Sequence, residues 1–175
     1  CGGYAADRNL KGWEEAELGM RLVSGGWRLE RIGVPAVLHT GHSAGTWGVL
    51  ASLWRSRRAM ASGVLLKQAW RKPWWAMALR MMLQPLLVLA MWAGLLGALL
   101  FGAGTGSWWP LHVGLAALLC ALLAFAVHKR SVRHALTSFA LWHFHAASIV
   151  LGLAEHTVPP SQAIASVKLA GVDHP

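Results

Sequence analysis

Three consecutive runs without a formal charge, residues 81–101, 108–127 and 135–154, limit what this chain can fold into more than any other feature. At 1.5 Å rise per residue each run, wound as a helix, reaches about 30 Å, the thickness of a bilayer's hydrocarbon core. The composition agrees. Hydrophobic residues make up 55% of the chain and charged residues 13%, against roughly 25% charged in an ordinary soluble domain. Residues 73–154 therefore read as a membrane region of about three transmembrane helices, the third set apart by His143 and His145. Trp74, Trp75, Trp108 and Trp109 stand where an aromatic belt is expected.

The charge pattern suggests how those spans are threaded. Residues 1–47 hold five basic and five acidic side chains, whereas residues 48–80 hold seven basic ones and no acidic one. Lys129, Arg130 and Arg133 then separate the second and third runs. Two basic clusters with two spans between them fall on one side, the cytoplasmic side by the positive-inside rule. On that expectation residues 102–107 turn outside, the third span leaves again, and the tail from Glu155 is external and poorly ordered. The basic block also suits anionic membrane lipids, and nothing in it points to nucleic acid. Cys1 and Cys120 make no disulfide framework. The chain opens on Cys rather than Met, and the expectation is that it continues a longer protein.

Ahead of the membrane region the reading is finer. Residues 14–24 (EEAELGMRLVS) predict a helix with Ala16, Met20 and Val23 towards one face, with Glu14, Glu15 and Glu17 in the first turn and Gly25 and Gly26 as its stop. Residues 27–32 alternate as a short strand, and residues 36–39 suggest another. Residues 1–47 thus resemble the edge of an α/β domain, too small to bury a core alone. Residues 48–72 predict one or two basic interfacial helices, bent near Ser62 and Gly63. Residues 155–175 form a polar tail.

Asp7, Glu14, Glu15 and Glu17 are the densest group of side chains able to do chemistry. Carboxylates at a helix start commonly serve only the free N–H groups and the dipole. The chemical alternative is a general base that takes a proton from an attacking hydroxyl. His39 and His42 have no cysteine or carboxylate cluster beside them to complete a metal site, and His143 and His145, two apart on a helix, point to different faces.

The order GGY, WEEAELGMRL, GGWRLERI, VLHTG resembles the closing part of the catalytic domain of family 2 glycosyltransferases, the inverting GT-A enzymes. The matching positions cover roughly residues 1–45. They are Gly2, Gly3 and Tyr4; Glu14, Glu15, Glu17 and Leu18; Arg21 and Leu22; Gly26, Trp27 and Arg28; and His39. The resemblance implies that Glu15, where the family more often carries Asp, is the general base, with Glu14 as the alternative. It implies that Gly2, Gly3 and Tyr4 belong to the acceptor-side wall, that Glu17 and Arg21 belong to the substrate site, and that His39 lies near the diphosphate or the metal.

By the same resemblance the parent protein would carry a nucleotide-binding half, with an Asp-x-Asp motif holding Mg or Mn, ahead of this chain. It would transfer a sugar from a nucleotide-sugar donor to an acceptor hydroxyl, suited by position to a lipid-linked acceptor, at the cytoplasmic face of a bacterial inner membrane. The Gln-x-x-Arg-Trp signature of polymer-extruding synthases is absent; Leu53, Trp54 and Arg55 come nearest and do not fit. The competing expectation is a small non-catalytic membrane scaffold or partner subunit with a cationic cytoplasmic lip.

Overall fold

The computed structural model describes residues 4–30, 33 and 45–161. Among them the chain is entirely helical. Its elements are a 3-10 turn at Arg8–Leu10, α1 at Glu14–Ser24, α2 at Thr46–Arg55, a second 3-10 turn at Arg58–Met60, α3 at Ala61–Ala69, α4 at Trp75–Met81, α5 at Leu83–Thr105, α6 at Trp109–His128 and α7 at Val132–Leu153.

α5, α6 and α7 are each long and apolar enough to cross a membrane, with mean hydropathies of 2.3, 2.2 and 1.4. Their ends follow local rules. Gly106, at φ +75, closes α5 in the left-handed conformation that glycine adopts without strain. Pro110 sits in the first turn of α6, where its missing N–H costs nothing. The Ser131 hydroxyl accepts from His134 N at 3.3 Å and caps α7. α5 and α6 form an antiparallel hairpin whose turn is sealed by the Trp108 ring against Gly102, since a Cβ there would lie 2.7 Å from the indole. α6 buries no residue, and Leu96, Leu100, Leu119 and Leu123 stand exposed along the hairpin. Such a surface is stable against hydrocarbon rather than water.

The packed core lies at one end of this hairpin. Leu10, Met20, Val64, Leu65, Met82 and Ile149 meet there, drawn from the 3-10 turn, α1, α3, the α4–α5 junction and α7. α3 and α7 approach to backbone contact through Gly63 and Gly152, the small-residue contact that brings helices closest. α2 lies along α7, with Trp54 and Phe144 rings 5.4 Å apart.

Three sequence expectations are corrected. The strand expected at residues 27–32 is not formed over residues 27–30, and no strand occurs among the described residues. Trp27 and Leu29 are instead exposed, and no strand among the described residues lies beside them to pair with. The α/β edge expected of residues 1–47 is therefore not seen; the stretch at residues 36–39 lies outside the described residues. The interruption expected at Ser62 and Gly63 falls at Arg57, which is left-handed at φ +57, while Ser62 and Gly63 are buried inside α3.

The start of the tail, thirdly, is bound rather than loose. Arg8 N donates to Val158 O at 2.9 Å, Asn9 Nδ2 to His156 O at 2.9 Å, and Lys67 Nζ to Glu155 O at 2.7 Å. Arg57 also forms an ion pair with the Glu155 carboxylate, its Nε donating at 2.8 Å.

Candidate active site

Of the residues singled out in the sequence, Tyr4, Glu14, Glu15, Glu17 and Arg21 come together around the first turns of α1. Gly2, Gly3 and His39 lie outside the described residues. Helical spacing separates the carboxylates into three different environments.

Glu17 is completely buried. Bare, such a charge would be costly to desolvate, and Arg21 one turn later answers it with Nε 2.7 Å from Oε1. The same guanidinium donates through Nη2 to Tyr4 O at 3.1 Å. Glu17 and Arg21 thus form a brace that fixes residue 4 against α1, which places them as positioning groups.

Glu14 turns back on the chain, its carboxylate accepting from Gly12 N. This is local capping of a helix start that has no side-chain cap at Trp13. Glu15 is exposed, as is Tyr4, and its carboxylate is near enough to the Tyr4 phenol to favour the neutral hydroxyl. Desolvation of the phenol, then the Glu15 hydrogen bond and charge, then the Glu14 charge, raise the Tyr4 pKa above the ordinary 10.0. The surface group is therefore a solvent-reaching carboxylate with a phenol beside it. Chemically it can accept a proton from a second hydroxyl on its free lone pairs.

Asp7, the remaining carboxylate of the sequence cluster, has a different part. It is fully buried and accepts from Asn9 N at 2.8 Å, Gln68 Nε2 at 2.9 Å and Val158 N at 3.3 Å. One carboxylate thus joins the 3-10 turn, α3 and the tail. Its partners lie far away in sequence, so the residue's importance was visible from the sequence while its role was not. A polar cavity of about 160 Å³ lined by Asn9, Lys11, Arg57, Met60 and Glu155 opens at the same junction.

Among the described residues no three metal-ligating side chains converge. The divalent ion implied by the resemblance has no ligand set among the described residues. His143 Nδ1 lies 2.8 Å from Phe139 O in its own helix, and its ring packs edge-on to Trp92 at 5.9 Å. The contact of Gly63 with Gly152 was missed by sequence reasoning; the only signal for it was the small residues Ser62 and Gly63 on α3 and Ser148 and Gly152 on α7. No family model, curated protein or solved structure matches this chain.

Proposed function

We propose that the chain belongs to a membrane-bound family 2 glycosyltransferase that moves a sugar from a nucleotide-sugar onto an acceptor hydroxyl at the membrane surface. The observation that carries this reading is the pairing of exposed Glu15 with the Tyr4 hydroxyl at the head of α1, at positions where the sequence resembles that family's base and acceptor wall. Glu15 takes the acceptor proton as the hydroxyl attacks the anomeric carbon, whose bond to the diphosphate oxygen breaks as the nucleoside diphosphate leaves with the electron pair. Tyr4, braced by Arg21 and Glu17, keeps the carboxylate oriented. The reading requires a nucleotide-binding part with its divalent ion ahead of residue 1, whose strands would supply the partners that residues 27–30 lack. A membrane setting favours a lipid-linked acceptor.

The test uses the full protein in membranes, a panel of labelled nucleoside-diphosphate sugars and total lipid as acceptor. Glu15→Gln keeps the shape of the side chain but removes the base, and turnover should fall by about 10²–10⁴, with Glu14→Gln much milder. Unchanged turnover in Glu15→Gln removes Glu15 as the base. No transfer from any donor by the unaltered protein favours a non-catalytic membrane subunit.

A further inference from the structure

The contacts at the base of the helical hairpin fix where both ends of α7 lie. α5 and α6 run antiparallel: a Cβ on Gly114 would stand 2.9 Å from Leu95. Towards the base, Gln84, Leu87 and Val88 of α5 face Leu122 and Phe125 of α6 around a cavity of about 230 Å³. The start of α5 and the end of α6 are therefore at one level. α7 starts at Val132, after the short turn that follows His128, and so begins at that level too.

Its other end returns there. Ile149 packs in one cluster with Ala78 and Met82, just ahead of α5, and Gly152 touches the backbone of α3. Glu155 is held by Arg57 and Lys67. A helix of 22 residues is about 33 Å long, so one with both ends at the foot of the hairpin must lie across it. The ring contacts agree: Trp142 meets Phe125 at 4.9 Å and His143 meets Trp92 at 5.9 Å, near the end of α6 and in the first half of α5.

We propose that α7, although long and apolar enough to cross, lies in the plane of the membrane surface with α2 beside it. The chain then crosses the bilayer twice, and the partner of the α2–α7 layer is the anionic headgroup region. Its chemistry suits that place. Val132, Leu136, Val150 and Leu153 are exposed on α7 and enter the acyl boundary. Lys129, Arg130 and Arg133 at one end, and Arg55 and Arg58 along the other side, are exposed and meet lipid phosphates. Exposed Trp47 lines a cavity with Arg133 and Thr137 near the start of α7, and exposed Trp70 meets Trp75 ahead of α5, residues suited to an interface. The surface is continuous with the lipid-facing hairpin, which fixes its depth. A third crossing would put Glu155 on the opposite side from Lys129, yet Arg57, Lys67 and the foot of α5 hold Glu155 on Lys129's own side.

This inference does not depend on the chain being an enzyme, and its test is separate. In the full chain with Cys1 and Cys120 replaced by alanine, single cysteines are placed by His128→Cys, Ser107→Cys and Thr157→Cys. A membrane-impermeant charged maleimide is applied to right-side-out and to inverted vesicles, and labelling after detergent solubilisation confirms that each cysteine is present. Residues 128 and 157 should label from one side and lose labelling entirely from the other, with residue 107 showing the reverse. Labelling of residues 128 and 157 from opposite sides, or of all three from one side, overturns the proposal. Lys129→Cys and Ser161→Cys repeat the two decisive positions, 128 and 157, should either first variant fail to insert.

Discussion

Gly63 and Gly152 meet backbone to backbone, so that a Cβ on Gly152 would lie 2.0 Å from Met60 O and one on Gly63 would lie 2.2 Å from Ile149 O. This single crossing joins α3, which carries the N-terminal segment, to α7 and the membrane hairpin. The obstacle to any side chain is main chain rather than a flexible tip, so the helices themselves must move apart. Gly152→Val should therefore destabilise the protein by about 1–3 kcal/mol or more, as overpacking does, seen as a lower midpoint of thermal unfolding in detergent. Gly94→Val on α5 is the control, because a Cβ there meets nothing within 4 Å, and it should leave the midpoint unchanged.

Asp7 and Gln68 make the second joint, a buried carboxylate held by three donors. Asp7→Ala strands the Gln68 amide and the amides of Asn9 and Val158, and unsatisfied buried donors cost about 1–3 kcal/mol. The loss should be local before it is global. Hydrogen exchange at the Val158 amide should accelerate and protease should cut within residues 155–161, while α5 and α6 keep their protection. Equal protection of the tail in Asp7→Ala would show that Arg8 and Asn9 hold it without the carboxylate.

The contrast between these joints and the apolar runs explains what could be read from the sequence. A bilayer-length run without charge announces itself, so the positions of α5, α6 and α7 were legible, as was α1 from its acidic first turn and apolar period. Gly63 misled because a glycine within a helical pattern looks like a weak point, and here it is a point of close approach; the real break is the left-handed Arg57, which carries no local signal. Residues 27–32 misled because alternation records a preference for extended chain without naming a partner. The tail was expected to be loose because its anchors, Asp7, Arg8 and Lys67, are distant in sequence. At the candidate site the sequence grouped Asp7 with Glu14, Glu15 and Glu17 but could not separate the buried joint of Asp7, buried Glu17, capping Glu14 and exposed Glu15, because the last three share one helical turn and differ only in the direction each faces around it.

Tyr4 allows the site to be tested without a substrate, because it is the only tyrosine in the sequence and its phenolate absorbance reports one residue. Desolvation, the hydrogen bond and charge of Glu15, and the charge of Glu14 all disfavour the phenolate, so its titration midpoint should lie above 10.0. A group whose folded pKa is raised contributes stability that is fully present below its unfolded value, about 10 for tyrosine, and that is lost as pH rises through the folded value. The linked loss of stability therefore belongs to strongly alkaline solution and leaves neutral pH untouched. Glu15→Gln removes the charge and weakens the hydrogen bond, so the midpoint should fall back towards the ordinary value; Glu14→Gln, which removes only the smaller charge effect, should move it less. A midpoint that ignores Glu15→Gln would separate Tyr4 from Glu15 in solution and take away the geometry on which the proposed base rests.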